Sequence, residues 1–319
     1  MNAPDFPLLS DELAAVRARA LCGAGRLAWY TGDLDGAVVH LENALSLARA
    51  ARDAVTLARA LNALGIVAVV RGEFERASQF FNEALEISQR IGHPPSLLDT
   101  LCNLGYIIAD MEATPETLAM CADGVALARR EGDRRALGIL LGNHGMLLCF
   151  DGQLEPSLPL LEEGLEVTRS VGETWNEART CWCLGHHALW DAPRAPDANT
   201  RRAHAELALT HFSVTLRIIR AVKGKWETPY ILEAYALMAI ANSECARGAQ
   251  LFGASQALRE RMQSVVAPAI LPHYERFVTL ARKALCEAED YETHRAKGWR
   301  EGSAMAIGDA LTLLPAADG

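Results

Sequence analysis

The sequence predicts an all-α, right-handed solenoid of about six helix pairs, closed by a helical cap at its C-terminal end. Three observations lead there. A glycine recurs every 40 residues, at Gly25, Gly65, Gly105, Gly145 and Gly185. Each lies inside a long run rich in Ala, Leu, Arg and Glu, with almost none of the β-branched alternation that strands need. The chain has 319 residues, half of them hydrophobic, which is more than one core usually serves. A repeat array escapes that limit, because each unit packs only against its neighbours. A glycine inside a helix costs about 1 kcal/mol relative to alanine. Five in register therefore need a reason, and the expected one is a neighbouring helix too close to admit a side chain.

Residues 1–9 read as an N-terminal lead, and Ser10, Asp11 and Glu12 then give a helix start. The first helix is expected to reach Tyr30, with a turn at Thr31-Gly32-Asp33 and a second helix from Leu34 to Ala51. The next pair runs to Arg71, turns at Gly72-Glu73, and continues to Ile91, where Gly92 and Pro94-Pro95 stop it. In the third unit Thr114 is the expected N-cap and Pro115 the first helical residue. After Trp190 a turn-rich insertion, 191–203, interrupts the fifth unit, and its second helix is expected from about Arg202 to Val222. A sixth pair is placed at Thr228–Arg247 and Ala249–Gln263. The repeat array so defined spans 10–265. Residues 266–319 form the cap: a helix from Pro272 carrying Tyr274, Phe277 and Leu280 on one face, then short helical pieces to Leu314.

Within the units the offsets from the glycine hold. Four residues before it stand Leu21, Leu61, Leu101, Leu141 and Cys181. Twelve after it come Ala37, Ala77, Thr117 and Ser157, all small. Sixteen after it come Leu41, Phe81, Cys121 and Leu161, all apolar, and nineteen after it Ala44, Ala84, Gly124 and Gly164, small again. This pattern resembles the tetratricopeptide repeat, whose mark is L-G-x2-Y followed by A-x3-F. Leu64-Gly65, Leu104-Gly105 and Leu184-Gly185 carry the first part; Ala77 and Phe81 carry the second. The period is six residues longer than the usual 34, so longer helices are expected. Armadillo and HEAT repeats share the longer period but lack this pair of motifs.

Three C-terminal stretches sharpen the resemblance: Ala249 to Glu260, Tyr274 to Arg276, and Gly298 to Met305. Together they look like the signature that ends the tetratricopeptide sensor region of bacterial STAND-type regulators, the LuxR and MalT-like transcriptional regulators and predicted ATPases. The resemblance implies a region that senses a small inducer or a partner protein and controls a separate nucleotide-binding or output module. Neither module is visible here. The phosphate-cradling G-x4-G-K-[ST] motif is missing, and Gly224-Lys225 lacks its upstream glycine.

The net charge of −9 and the lack of a long Lys/Arg cluster argue against direct nucleic-acid binding. The N-terminus has neither the basic nor the apolar region of a signal peptide, and no uncharged run reaches the length of a membrane span. A cytoplasmic protein without membrane contact is expected. The eight cysteines fall mostly on apolar stripes, where a free thiol acts as a small hydrophobe. Cys181, Cys183, His186 and His187 invite a zinc reading, but no second half-site follows, so core packing is expected. No cofactor is expected either.

In tetratricopeptide solenoids the first helix of each pair lines the concave face. Offsets of −6, −3, +1, +4 and +5 from the glycine then give a candidate groove: Arg26, Trp29, Arg59, Asn62, Tyr106, Asp110, Met146, Arg179, Trp182 and His186. Arginine and aromatic side chains are favoured interface anchors. The expected function is interaction with a protein or peptide partner or a small-molecule inducer, not catalysis. Two rivals have their own marks. An enzyme would show two strongly shifted titratable groups in contact within the groove. A structural assembly piece would show an uninterrupted apolar stripe on the convex face or along the first helix.

Overall fold

The computed structural model describes residues 11–105, 107, 114–191, 196–222, 228–241, 244–262, 271, 275–276, 278–279, 288–304 and 313–314. They form thirteen helices and, among the described residues, no strand. The helices are α1 (Asp11–Thr31), α2 (Leu34–Ala50), α3 (Ala54–Val70), α4 (Phe74–Ile91), α5 (Pro94–Leu104), α6 (Pro115–Glu131) and α7 (Arg134–Phe150). There follow α8 (Leu154–Val171), α9 (Thr174–Asp191), α10 (Ala198–Val222), α11 (Thr228–Ala241), α12 (Cys245–Met262) and α13 (Ala288–Ala304). Among the described residues no helix is long and apolar enough to cross a membrane. The chain divides into two compact units, Met1–Ile107 and Ile108–Gly319.

The turns follow a ruler of half the glycine period. Residues with left-handed backbone stand at Gly32, Arg52, Gly72, Gly92, Gly132, Gly152 and Gly172. The residue after each turn position opens the next helix. Its N–H reaches back five residues: Asp33 to Ala28 (2.9 Å), Glu73 to Ala68 (2.8 Å), Asp133 to Ala128 (3.0 Å) and Gln153 to Leu148 (2.9 Å). Such bonds satisfy the last carbonyls of one helix. Asp33, Asp53 and Asp133 then accept from the N–H three residues on, capping the next one. Arg52 (φ 54°) is the one non-glycine in this conformation among the described residues. A β-carbon there costs about 1–2 kcal/mol, partly offset by glycine's larger backbone entropy. Arg52→Gly is therefore expected to stabilise the protein by about 0.5–1 kcal/mol, read as a rise in the urea midpoint at constant slope.

The ruler glycines sit where the second helix of the pair comes close. A β-carbon on Gly25 would lie 2.6 Å from Leu41 Cγ, and one on Gly145 2.7 Å from Leu161 Cγ. Gly65 and Gly185 are covered by the rings of Phe81 and Phe212. Leu41, Phe81 and Leu161 are the residues sixteen positions on; Phe212 fills the same place eleven residues late. The insertion in the fifth unit thus has a length read from packing, and α10 is seven residues longer than α8. The small position nineteen on has the same cause: a β-carbon on Gly164 would meet the backbone N of Gly142 at 2.9 Å. Gly105 departs from its siblings. It ends α5 as a right-handed C-cap.

Three element boundaries differ from the sequence reading. The helix expected from Arg202 starts at Ala198, because Asp197 caps it by accepting from Thr200 N at 2.9 Å. The break in the sixth pair falls before Glu244, not at Gly248. Glu244 N donates to Ala239 O (2.7 Å), and Gly248 lies inside α12, where Ile240 and the Ala236 carbonyl leave no room for a side chain. The short pieces expected through Trp299 are one continuous helix, α13. The helix expected from Pro272 and the segment from Ala306 fall mostly outside the described residues.

α12 and α13 pack backbone to backbone. A β-carbon on Gly253 would run into the Arg295 carbonyl, and one on Gly298 into the Gln250 carbonyl; on Gly302 it would lie 2.7 Å from the Ala254 carbonyl. Polar pairs flank the crossing: Gln250 to Glu301 (2.6 Å), Arg295 to Gln256 (2.5 Å) and Trp299 Nε1 to Glu260 (2.9 Å). The C-terminal signature residues of both helices are therefore the residues of one close contact.

Candidate binding face

The ten groove candidates divide between the two units. In the first, Arg26 and Trp29 lie on α1, Arg59 and Asn62 on α3. Arg26 and Arg59 are exposed. Burial raises the pKa of the Cys22 thiol, and these two guanidinium groups oppose that rise. Trp29 packs on Tyr30 with ring centroids 4.3 Å apart. Asn62 is turned inward instead. It is buried and donates to Thr100 Oγ1 (2.9 Å), which meets the hydroxyl of Ser88; Ser88 in turn meets Ser96. Its Oδ1 has no hydrogen-bond partner. Asn62 thus belongs to a buried polar ladder between α3, α4 and α5. Tyr106 and Asp110 lie outside the described residues.

In the second unit four candidates come together on α7 and α9. Arg179 is half-buried. It reaches Asn143 Oδ1 (3.3 Å) and Met146 Sδ (3.9 Å) across the helices and Asn176 Oδ1 (3.4 Å) along its own. Trp182 is half-buried too, edge-on to Phe150 (centroids 5.7 Å) and to Tyr230 of α11 (6.1 Å). Edge-to-face geometry is what ring quadrupoles prefer. The indole Nε1 of Trp182 has no hydrogen-bond acceptor. Met146 and His186 are more deeply placed. His186 is 1% exposed, donates from Nδ1 to Trp182 O (3.0 Å) and sits among Trp182, Trp190 and Phe212.

Three features escaped the sequence reading. Tyr230 extends the aromatic strip onto α11 and carries the Arg259 guanidinium 4.4 Å from its ring centre. Arg259 in turn makes a two-pronged bond to Glu233 (2.6 and 2.7 Å), with both side chains no more than 7% exposed, and Ser255 donates to the same carboxylate at 2.5 Å. Burial alone would lower the Arg259 pKa, but the adjacent carboxylate holds it above its ordinary value. The signal was there: Glu233 is the single charge in the run Thr228–Ala241. The third feature is a cleft of about 470 Å³ between α8, α9 and α10, floored by Leu158, Leu165, Leu184 and Leu207 and edged by Glu162, Glu166, Arg169 and His211. Burial and the Arg169 charge both lower the His211 pKa.

The Cys/His run of α9 is spent on packing. His187 donates from Nε2 to Leu154 O (3.0 Å). Cys181 lies by Arg169, whereas the Cys183 thiol is hydrogen-bonded with the Cys149 thiol, and burial and that contact push it well above its ordinary pKa. The seven described cysteines are free and buried.

Comparison with known proteins agrees with this construction. Residues 16–90 match the family model described as tetratricopeptide repeat. The chain is similar to regulatory protein AfsR of Streptomyces griseus, with 23% identity over 253 residues, covering 79% of this chain and 24% of that protein. The chain therefore spans about a quarter of the length of that relative. The first two helix pairs thus match the tetratricopeptide repeat, further helices follow them to Met262, and the chain is similar to a stretch of a bacterial regulatory protein.

Proposed function

We propose that the chain is the sensing and interaction module of a bacterial regulatory system, and that it takes a protein, peptide or small effector on the face formed by α7, α9 and α11. One observation carries the reading: Arg179, Trp182 and Tyr230 bring a guanidinium and two half-buried rings onto adjacent helices. Such residues make most interface hot spots.

A binding role fits the titratable groups better than catalysis. A nucleophilic cysteine needs a lowered pKa, whereas Cys121 and Cys181 are pushed up to about 11 by burial. Burial also lowers the His144 pKa. Because each unit touches only its neighbours, a ligand bridging α9 and α11 stiffens that joint, and the stiffening is the signal passed on to a nucleotide-binding or output module.

The test is retention of partners from native lysate on wild-type protein against Arg179→Ala and Trp182→Ala, quantified by mass spectrometry. The expected result is one partner or effector lost at least tenfold by both variants, about 1.4 kcal/mol or more, while Arg26→Ala retains it. Equal retention by all three proteins rejects this face.

A further inference from the structure

We infer that the outer face of α1 is a docking surface for an α-helical hairpin of the repeat type, stacked on it as a preceding unit would be. The inference rests on register. Val16, Ala20, Gly23, Leu27 and Tyr30 fall at spacings of four, three, four and three, which place them on one side of α1. The buried residues of α1, Ala14, Ala18, Cys22 and Gly25, occupy the opposite side. Val16, Leu27 and Tyr30 are 54%, 67% and 68% exposed. Gly23 has open space where a side chain would stand.

Forty residues on, the same register reads Thr56, Ala60, Ala63, Val67 and Val70 on α3. There the first four are 2%, 0%, 7% and 2% exposed. What covers them is the preceding pair: Ala37, Leu41 and Ala44 of α2 share one apolar cluster with Ala60, Ala63 and Val67. The register stays buried on α7, where it reads Ala136, Leu140, Asn143, Leu147 and Phe150. On α3 this face is covered by the unit before it, whereas α1 keeps the same kind of apolar and small residues exposed.

A helix face that stays in water is polar. α1 carries Val, Leu and Tyr around a bare glycine. The occupant this face fits is a second helix with a small–large–small row at the spacing of Ala37, Leu41 and Ala44. Its flanks should be acidic, since Arg17 and Arg26 border the stripe, while Arg19 is held by Asp53 at 3.2 Å.

The probe is a designed consensus tetratricopeptide protein of three repeats, truncated so that its last second helix is uncovered; three repeats suffice for such an array to fold. Binding to the full chain is followed by isothermal titration. The expected result is saturable binding that Leu27→Glu and Gly23→Arg each weaken at least tenfold, with helical circular dichroism retained and no loss of melting temperature, as both positions are exposed. No binding, or equal binding by wild type and variants, overturns the proposal. Sedimentation velocity of the chain alone separates the other occupant: self-association abolished by the same variants assigns the face to a second copy and also overturns it.

Discussion

Gly298→Ala is expected to release α13 from α12. The new methyl group would enter the Gln250 carbonyl, a backbone atom that cannot rotate away as a side chain can. Overpacking a close contact costs about 1–3 kcal/mol and more where the backbone must move; here the upper end is expected, about 3 kcal/mol. The loss should be local, because each unit of such an array contacts only its neighbours. Hydrogen exchange would then show the amides of 288–304 unprotected while α7, α8 and α9 keep their protection. Gly23→Ala is the matched control: it too adds one methyl to a helical glycine, but in open space. Since alanine is the better helix former, that variant should hold or gain stability. If Gly298→Ala leaves α13 as protected as in the wild type, the close contact is not what holds the two helices together.

Glu233→Ala is expected to be the most damaging single change in the second unit. It strips the buried Arg259 guanidinium of both its bonds to that carboxylate and leaves Ser255 without its 2.5 Å acceptor. Removing one partner of a buried ion pair costs about 3–5 kcal/mol, because the remaining charge stays out of water uncompensated. The same principle makes the control sharp. The paired substitution Glu233→Leu with Arg259→Met should recover most of the loss, since replacing both charges with apolar groups of similar size is often neutral. Chemical denaturation of the two variants side by side checks this. A double variant as unstable as Glu233→Ala would mean that the pair contributes more than charge compensation.

These two sites mark where the sequence was legible and where it was not. The glycine ruler and its offsets identified the contacts of the helix pairs themselves, Gly25 with Leu41 and Gly65 with Phe81. They could do so because that contact is internal to one unit and recurs in every copy. The C-terminal signature was visible as a set of residues, but its physical meaning was not. Gly253 and Gly298 are 45 positions apart, and no period links them. For the proposed binding face, the offsets from the glycine reach less far. A first helix in mid-array is covered on nearly all sides, so offsets that should have faced a groove placed Asn62, Met146 and His186 in contact with neighbouring helices. Which side stays open depends on how far apart successive first helices stand, a distance that side-chain volumes on several helices set together. Glu233 was legible in principle as a lone charge in an apolar helix; its partner Arg259 was hidden by looking like an ordinary surface residue of α12.

The insertion in the fifth unit bears on how such a chain can change length over evolution. Seven of its eleven residues lengthen α10 at its start, and seven residues are close to two whole turns. The helix therefore meets Gly185 with the same face it would have shown without them, and Phe212 stands where Leu161 stands one unit earlier. The remainder falls between α9 and α10, and added length in a connection costs little loop entropy. A connection between the two helices of a pair is thus a site where this protein can accept new sequence, natural or engineered, provided that any part joining the helix comes in whole turns. Added residues inside α7 or α9 have no such freedom, since both of their neighbours read the register.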